Sequence, residues 1–348
     1  MTGSENPNPH ALDRQALEGE LANAIAGFGR LLNVEKFSGG QSNPTYRLKA
    51  EGGDFVLRAK PPGKLLASAH QVDREYRVMK ALADTDVPVP EMLYLSGEDS
   101  SIGRMFFVMR FVEGRIIWDP VVPDVSNEER AGLYDNMNKT LAALHSVDVD
   151  AVGLGDYGKP GSYFERQINR WAKQYRASEI DKIEDMDWLI DWLEKHDSGD
   201  DGQVSLVHGD FRIDNMIFAN DDVNVLAILD WELSTLGHPL ADLAYQCMHW
   251  RLPHKGSFRG LGGVDRASLG LPSEADYVRD YCSRRGIDKP SNWVFALAFS
   301  FFRAAAIVQG VVKRAADGNA SNPEKARALA DAVPLMARMA RDLVNKGE

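Results

Sequence analysis

The amino-acid sequence predicts an α+β chain of two lobes, a small β-rich one followed by a larger, mainly helical one. Three observations carry that prediction. Short runs of hydrophobic residues separated by turns fill residues 33–112, hydrophobic residues recur at helical spacing through most of the remaining chain, and one β island near residues 205–229 interrupts the second pattern. The length agrees, since 348 residues exceed one average domain of about 150 residues and suit two lobes of one enzyme.

Composition narrows the function classes. Hydrophobic residues make up 44% and charged residues 26%, with unexceptional glycine (30) and proline (16), which excludes collagen-like and low-complexity chains. Acidic residues outnumber basic ones, 51 to 40, and the net charge of −11 argues against a nucleic-acid partner. Cys247 and Cys282 are too few for a disulfide framework or a thiolate zinc site, so a cytoplasmic protein is expected. The N-terminus lacks the basic segment and apolar core of a signal peptide. Trp293–Val312 is apolar enough to suggest a membrane span, but Arg303 falls at its centre and Gln309 near its end. A central arginine costs about 3 kcal/mol on insertion scales, so a buried helix and no membrane partner are expected.

Each element has its own signal. Leu17, Leu21, Ile25, Phe28 and Leu32 keep helical spacing, so residues 1–32 read as a polar tail and one amphipathic helix. Val34–Phe37, Thr45–Ala50 and Phe55–Arg58 read as strands, divided by the turns at Ser38-Gly39-Gly40 and Glu51-Gly52-Gly53-Asp54. Ser68 and Gln71 have capping-box spacing ahead of a helix whose buried face is Val72, Tyr76, Met79 and Leu82. Past Val87-Pro88-Val89-Pro90, strands resume at Met92–Leu95 and Met105–Phe111. Residues 33–112 therefore form the small lobe and 113–348 the large one. Helices are expected over 127–146, 161–177, 185–196, 239–251, 273–285, 291–316 and 323–345, the last opened by Asn322-Pro323-Glu324. Among them lie Ser205–Val207, Met216–Phe218 and Val223–Leu229, with Ala219-Asn220-Asp221-Asp222 as a hairpin turn.

The chemistry sits on that island. His208-Gly209-Asp210 leaves a strand, Asn215 opens the hairpin, and Asp230-Trp231-Glu232 stands at its far end. Protein kinases carry His-Arg-Asp, four residues, Asn, and then Asp-Phe-Gly. Phosphoryl transfer explains the residue types. An Asn carbonyl and an Asp carboxylate suit Mg²⁺, a hard cation that prefers oxygen, so Asn215 and Asp230 are the candidate metal ligands. A separate carboxylate, Asp210, is placed to orient an acceptor hydroxyl and receive its proton. His208 is expected to brace the loop.

These motifs, continued by Gly237-His238-Pro239-Leu240-Ala241-Asp242, resemble those of the aminoglycoside phosphotransferase and choline kinase-like family of small-molecule kinases. The stretch from Phe55 to Leu66, through Ser68-Ala69-His70 to Asp73-Arg74-Glu75-Tyr76, is similar to the kinase-like domain fused ahead of some acyl-CoA dehydrogenases. No segment resembles the flavin-binding portion of those enzymes. The resemblance implies a bilobal protein-kinase-like fold, with ATP and Mg²⁺ bound in the cleft between lobes. It implies further that the Ser38–Asn43 turn covers the phosphates, with Ser42 and Asn43 as candidate contacts, although the kinase glycine triplet is missing. Arg58 stands where a lysine normally meets the α/β-phosphates, and Lys60 would share its strand face, so both are candidates. Glu75 is the expected partner of that cation. The backbone of Arg110, Phe111 and Val112 is expected to hydrogen-bond adenine, and Asp242 to brace the catalytic loop.

The acceptor is less constrained. Arg251, Lys255, Arg259 and Arg266, against Asp265 alone, make the segment after Asp242 basic. That suits an anionic acceptor such as a CoA thioester better than a polycationic aminoglycoside. The expected activity is transfer of the γ-phosphate of ATP to a hydroxyl of a hydroxyacyl-CoA. The alternatives are an aminoglycoside, choline or sugar-like acceptor, or an inactive kinase fold that binds nucleotide or acts as a scaffold.

Overall fold

A computed structural model of the chain describes residues 12–37, 43–62, 70–196, 198–255, 258–318, 324 and 327–347. The chain divides into two units, Met1–Gly114 with Leu226–Glu232, and Arg115–Val225 with Leu233–Glu348.

The first unit opens with helix α1 (Arg14–Ala24), capped by the Asp13 carboxylate, which accepts the N–H groups of Gln15 and Ala16. This helix ends well before Leu32, contrary to the spacing argument. Gly27 and Gly29 adopt φ of +73° and +71° and turn the chain, so β1 (Leu31–Lys36) begins where the helix was expected to continue. Phe28 stays buried at 1% exposure, while Leu32 now lies on the outer face of a strand, 51% exposed. Then come β2 (Thr45–Ala50), β3 (Gly53–Ala59), helix α2 (Val72–Leu82), β4 (Met92–Leu95) and β5 (Phe106–Arg110). They form one antiparallel sheet in the order β1-β2-β3-β5-β4.

Alternation along the strands sorts the side chains to two faces. Leu48, Phe55, Leu57, Phe106 and Val108 join Leu17, Leu21 and Phe28 in one core. The intervening residues face α2, where Phe107, the cross-strand partner of Arg58, meets the Tyr76 ring. Arg58 is therefore carried on the α2 face. Helix α2 starts after Gln71 with no side-chain cap, and Ser68 of the expected capping box lies outside the described residues. Segment Leu226–Glu232 joins this unit, its Ile228 N–H donating to the Pro88 carbonyl at 2.9 Å.

The second unit runs through β6 (Arg115–Ile116), α3 (Asn127–His145), α4 (Tyr163–Ser178), α5 (Glu184–Lys195), β7 (Ser205–Val207), β8 (Met216–Phe218), β9 (Val225–Ile228, which leads into the first unit), β10 (Thr235–Gly237), α6 (Leu240–Arg251), α7 (Glu274–Arg285), α8 (Trp293–Ala316) and α9 (Ala332–Lys346). Strand β6 pairs with β8, and β7 with β10, both antiparallel. Neither β6 nor β10 was expected. The expected start of the last helix at Asn322-Pro323 lies outside the described residues. Helix α8 is the one described helix long and apolar enough to cross a bilayer. It is packed against α4, α5, α6 and α9, with Arg303 4% and Gln309 5% exposed. Gln309 is satisfied there by donating to the Ser178 carbonyl at 2.9 Å. Cys247 and Cys282 are buried free thiols.

Candidate active site

Strand β7 delivers His208, Gly209 and Asp210 into a loop held from below by one carboxylate. Asp242, fully buried in the first turn of α6, accepts the main-chain N–H of His208 at 2.6 Å and that of Gly209 at 2.8 Å. His145 Nε2 lies 3.3 Å from the same carboxylate, and its Nδ1 lies 2.6 Å from the Tyr281 hydroxyl. Burial pushes the Asp242 carboxyl up, but His145, His208 and the Gly209 N–H together bring it below the ordinary range. Gly209 has φ +84°, and a Cβ there would stand 2.6 Å from the Leu233 carbonyl oxygen. That contact accounts for glycine in place of the kinase arginine.

Asp210 is held on every side. Its N–H donates to His208 Nδ1 at 3.2 Å, the bracing role expected of that histidine. Asn215, on a single helical turn at Ile213–Asn215, donates from Nδ2 to Asp210 Oδ2 at 2.8 Å and to the Asp210 carbonyl at 2.9 Å. The Tyr245 hydroxyl donates to Oδ1 at 2.7 Å, and Arg212 Nε lies 3.4 Å from the same oxygen. Burial raises the carboxyl's pKa, but Arg212, the Tyr245 hydrogen bond, His249 and His208 outweigh it and leave the group at about 2. Asp210 is therefore ionised at neutral pH. Since the amide nitrogen of Asn215 holds Asp210, its Oδ1 is the atom left able to ligate a cation.

Within the first unit, Arg58 gathers three carboxylates. Its Nε lies 2.9 Å from Glu75 Oε2, and its Nη2 lies 2.8 Å from Asp230 Oδ1 and 3.8 Å from Glu232 Oε2. Glu75 is 2% exposed, so it faces inward as expected. Burial, opposed by Arg58 and reinforced by Asp230 and Glu232, raises its pKa to about 7. Asp230 takes the left-handed backbone, φ +64°, tolerable for an aspartate at a tight functional turn. Trp231 is buried and donates from Nε1 to the Ile228 carbonyl at 3.0 Å. A hard cation suits the donor types, a carboxylate on Asp230 and an amide oxygen on Asn215.

The other candidates separate. Lys60, placed with Arg58 as a phosphate contact, pairs with Glu98, while Arg58 alone meets Glu75 and Asp230. Asn43 is 1% exposed, its Nδ2 donating to Glu75 Oε1 at 2.9 Å and its Oδ1 2.9 Å from His70 Nδ1, so its amide braces Glu75. Ser42 lies outside the described residues. At the strand end, the Arg110 N–H donates to the Glu91 carbonyl at 2.9 Å and the Phe111 N–H to the Asp54 carbonyl at 3.1 Å. Both N–H groups are therefore engaged by neighbouring main chain, which leaves the Val112 N–H as the donor of this stretch.

The basic segment is also less open than its composition implied. Arg251 makes a two-point pair with Glu274 at 2.7 and 2.8 Å, and Arg266 lies over the Trp250 ring at 5.6 Å, while Lys255 and Arg259 are exposed. Sequence reasoning missed Arg212, Glu232 and Tyr245 as neighbours of the site. For Tyr245 a signal existed, since Asp242, Tyr245 and His249 fall at i, i+3 and i+7 of one helix and share a face.

The sequence model of the Phosphotransferase enzyme family matches residues 33–276. The chain belongs to that family. Among solved structures, this phosphotransferase is similar to a protein from Ralstonia eutropha JMP134 described as a candidate aminoglycoside phosphotransferase, with a TM-score of 0.87 and 48% identity over 97% of this chain and 99% of that one. Among curated proteins, it is 45% identical to Mus musculus acyl-CoA dehydrogenase family member 10 over 316 residues, 90% of this chain and 29% of the relative. It is 40% identical to Homo sapiens family member 11 over 320 residues, 90% of this chain and 41% of the relative. The chain thus spans well under half the length of these curated relatives. A spectinomycin phosphotransferase solved with ADP and spectinomycin, covering 94% of this chain and 98% of its own, shares the fold at a TM-score of 0.62 and 14% identity. The chain is thus an α+β member of that phosphotransferase family.

Proposed function

We propose that this chain moves the γ-phosphate of ATP to a hydroxyl of a small acyl acceptor of the hydroxyacyl-CoA class. The single observation that carries the chemistry is the state of Asp210, a half-buried carboxylate kept ionised and pinned through both oxygens. Each oxygen retains a lone pair after its bond to Tyr245 or Asn215, so one can accept the acceptor's O–H. With a pKa near 2, Asp210 is a weak base toward a free alcohol. Its task is to aim the hydroxyl oxygen at the γ-phosphorus and take the proton as the new bond forms, which suits a loose transition state. The O–P bond to the acceptor forms, the bond from the γ-phosphorus to the β,γ-bridging oxygen breaks, ADP leaves, and the proton passes from Asp210 to solvent.

Arg58 neutralises phosphate charge in place of lysine; guanidinium binds phosphate oxygens and stays charged. Glu75, braced by Asn43, fixes that guanidinium. Mg²⁺, for which Asn215 Oδ1 and Asp230 are the residues offered, would supply charge neutralisation on the phosphates when bound. The Val112 N–H remains as a donor for adenine. The acceptor class is supported by relatives named for acyl-CoA chemistry and by the exposed Lys255 and Arg259. The test is ATP consumption with β- and γ-hydroxybutyryl-CoA and with aminoglycosides in parallel, with the phosphoester identified by mass spectrometry and phosphorus NMR. A phosphoester on a hydroxyacyl-CoA is the expected product; turnover confined to aminoglycosides would overturn the acceptor class.

A further inference from the structure

Helix α8 carries a charge for which the phosphate chemistry has no use. Arg303 is 4% exposed, its Nε has no hydrogen-bond partner, and among the described residues no carboxylate pairs with it. Burying a guanidinium without a counter-ion costs several kcal/mol even after relaxation, and the surrounding apolar helix would be better packed by leucine or methionine. What surrounds the guanidinium is aromatic. Its Cζ lies 5.6 Å from the Tyr245 ring and 5.9 Å from the Trp171 ring, and cation–π contacts hold a cation in place without neutralising it.

The same Tyr245 ties that cation to the active site. Its ring rests against Arg303 while its hydroxyl donates to Asp210 Oδ1 at 2.7 Å. On the next turn of α6, the His249 ring packs edge-on to Tyr245 at 4.7 Å, and its Nε2 is buried with no hydrogen-bond partner. Burial and the Arg212 charge, opposed by Asp210, keep this imidazole neutral, with a pKa near 3. A cation whose Nε lacks a partner and a neutral imidazole whose Nε2 lacks one, both buried, thus flank the tyrosine that touches Asp210.

We infer that Arg303 and His249 form the acceptor's acyl subsite, the guanidinium binding the carbonyl or carboxylate oxygen that lies a few bonds from the hydroxyl held by Asp210. Tyr245 sets the spacing, because one tyrosine ring separates the two anchor points. The acceptor is therefore an oxygen-rich acyl compound with its hydroxyl close to the carbonyl, and an amine-bearing acceptor meets a like charge there. This inference rests on Asp210 as the residue that orients the hydroxyl.

The deciding experiment compares wild type with Arg303→Met and Arg303→Lys. Methionine fills similar volume without a buried charge, so thermal stability should hold or rise, and lysine retains the charge if methionine fails to fold. Calorimetry with β-hydroxybutyryl-CoA and butyryl-CoA in the presence of Mg·ADP reads acceptor binding without turnover, and steady-state kinetics read KM and kcat. The expected result is at least a tenfold loss of affinity for both thioesters in Arg303→Met and a smaller loss in Arg303→Lys. Mg·ADP affinity should be unchanged, as should KM for a diol of equal chain length that lacks the carbonyl. Wild-type turnover of hydroxyacyl-CoA with unchanged KM in Arg303→Met would overturn the subsite and leave the proposed activity standing. Arginine-dependent thioester binding without wild-type turnover would sink the activity and support the subsite. Absence of both binding and turnover would remove both.

Discussion

Arg58 shows how one side chain reports on a whole mechanism. Its position was legible because strand alternation puts it on the α2 face, and the choice between it and Lys60 was not, since both share that alternation. The ion pairs separate them: Arg58 meets Glu75 and Asp230, and Lys60 meets Glu98 near the strand end. Removing the guanidinium leaves Glu75 buried beside Asp230 and Glu232 without the Arg58 charge that opposes its desolvation. Arg58→Met should therefore cost about 3–5 kcal/mol in denaturant unfolding and raise KM for ATP, whereas Arg58→Lys keeps charge but loses the fork and should lose less. Unchanged stability and ATP affinity in Arg58→Met would show that the cluster is incidental. Arg303 was visible in sequence only as a charge that argued against a membrane span; that no carboxylate among the described residues pairs with it is a property of packing and has no sequence signature.

At the scale of elements, the catalytic loop is a backbone held by Asp242. The sequence announced the loop through the spacing of His208, Asp210 and Asn215, and it announced the brace through the family resemblance. The reason for Gly209 emerged only from the approach of the Leu233 carbonyl. Gly209→Ala should strain the left-handed backbone by about 1–3 kcal/mol and displace the loop. The expected outcome is a lower Tm and at least a tenfold lower kcat with ATP affinity kept; an unaffected kcat would mean the loop geometry is not limiting. Elements that were misread failed for identifiable reasons. The helical spacing from Leu17 to Leu32 crossed two glycines that turn the chain, so a true period was extended past its end. In the stretch expected to meet adenine, the N–H groups of Arg110 and Phe111 are already spent on neighbouring main chain, a pairing that the linear sequence does not display.

For the molecule as a whole, length and charge set bounds that a small set of polar residues then filled. The net charge of −11 excluded a general polyanion binder, and in the local basic segment Arg251 is neutralised by Glu274 while Arg266 lies over the Trp250 ring. The cation that bears on the acceptor is instead buried in the most apolar helix. The division of the chain also differs from a simple cut near residue 113, because Leu226–Glu232, with Asp230, groups with the first unit. Linear sequence cannot show such a return, as the segment carries no composition of its own. The central claim, that Asp210 directs a hydroxyl at the γ-phosphate, is tested most directly by Asp210→Asn assayed for single-turnover phosphoryl transfer alongside ATP affinity. Loss of a positioned acid–base group removes roughly 10²–10⁴-fold in rate, so transfer should nearly vanish while the Kd for ATP stays within a few-fold. Transfer at the wild-type rate, or an equally large loss of nucleotide binding, would contradict it.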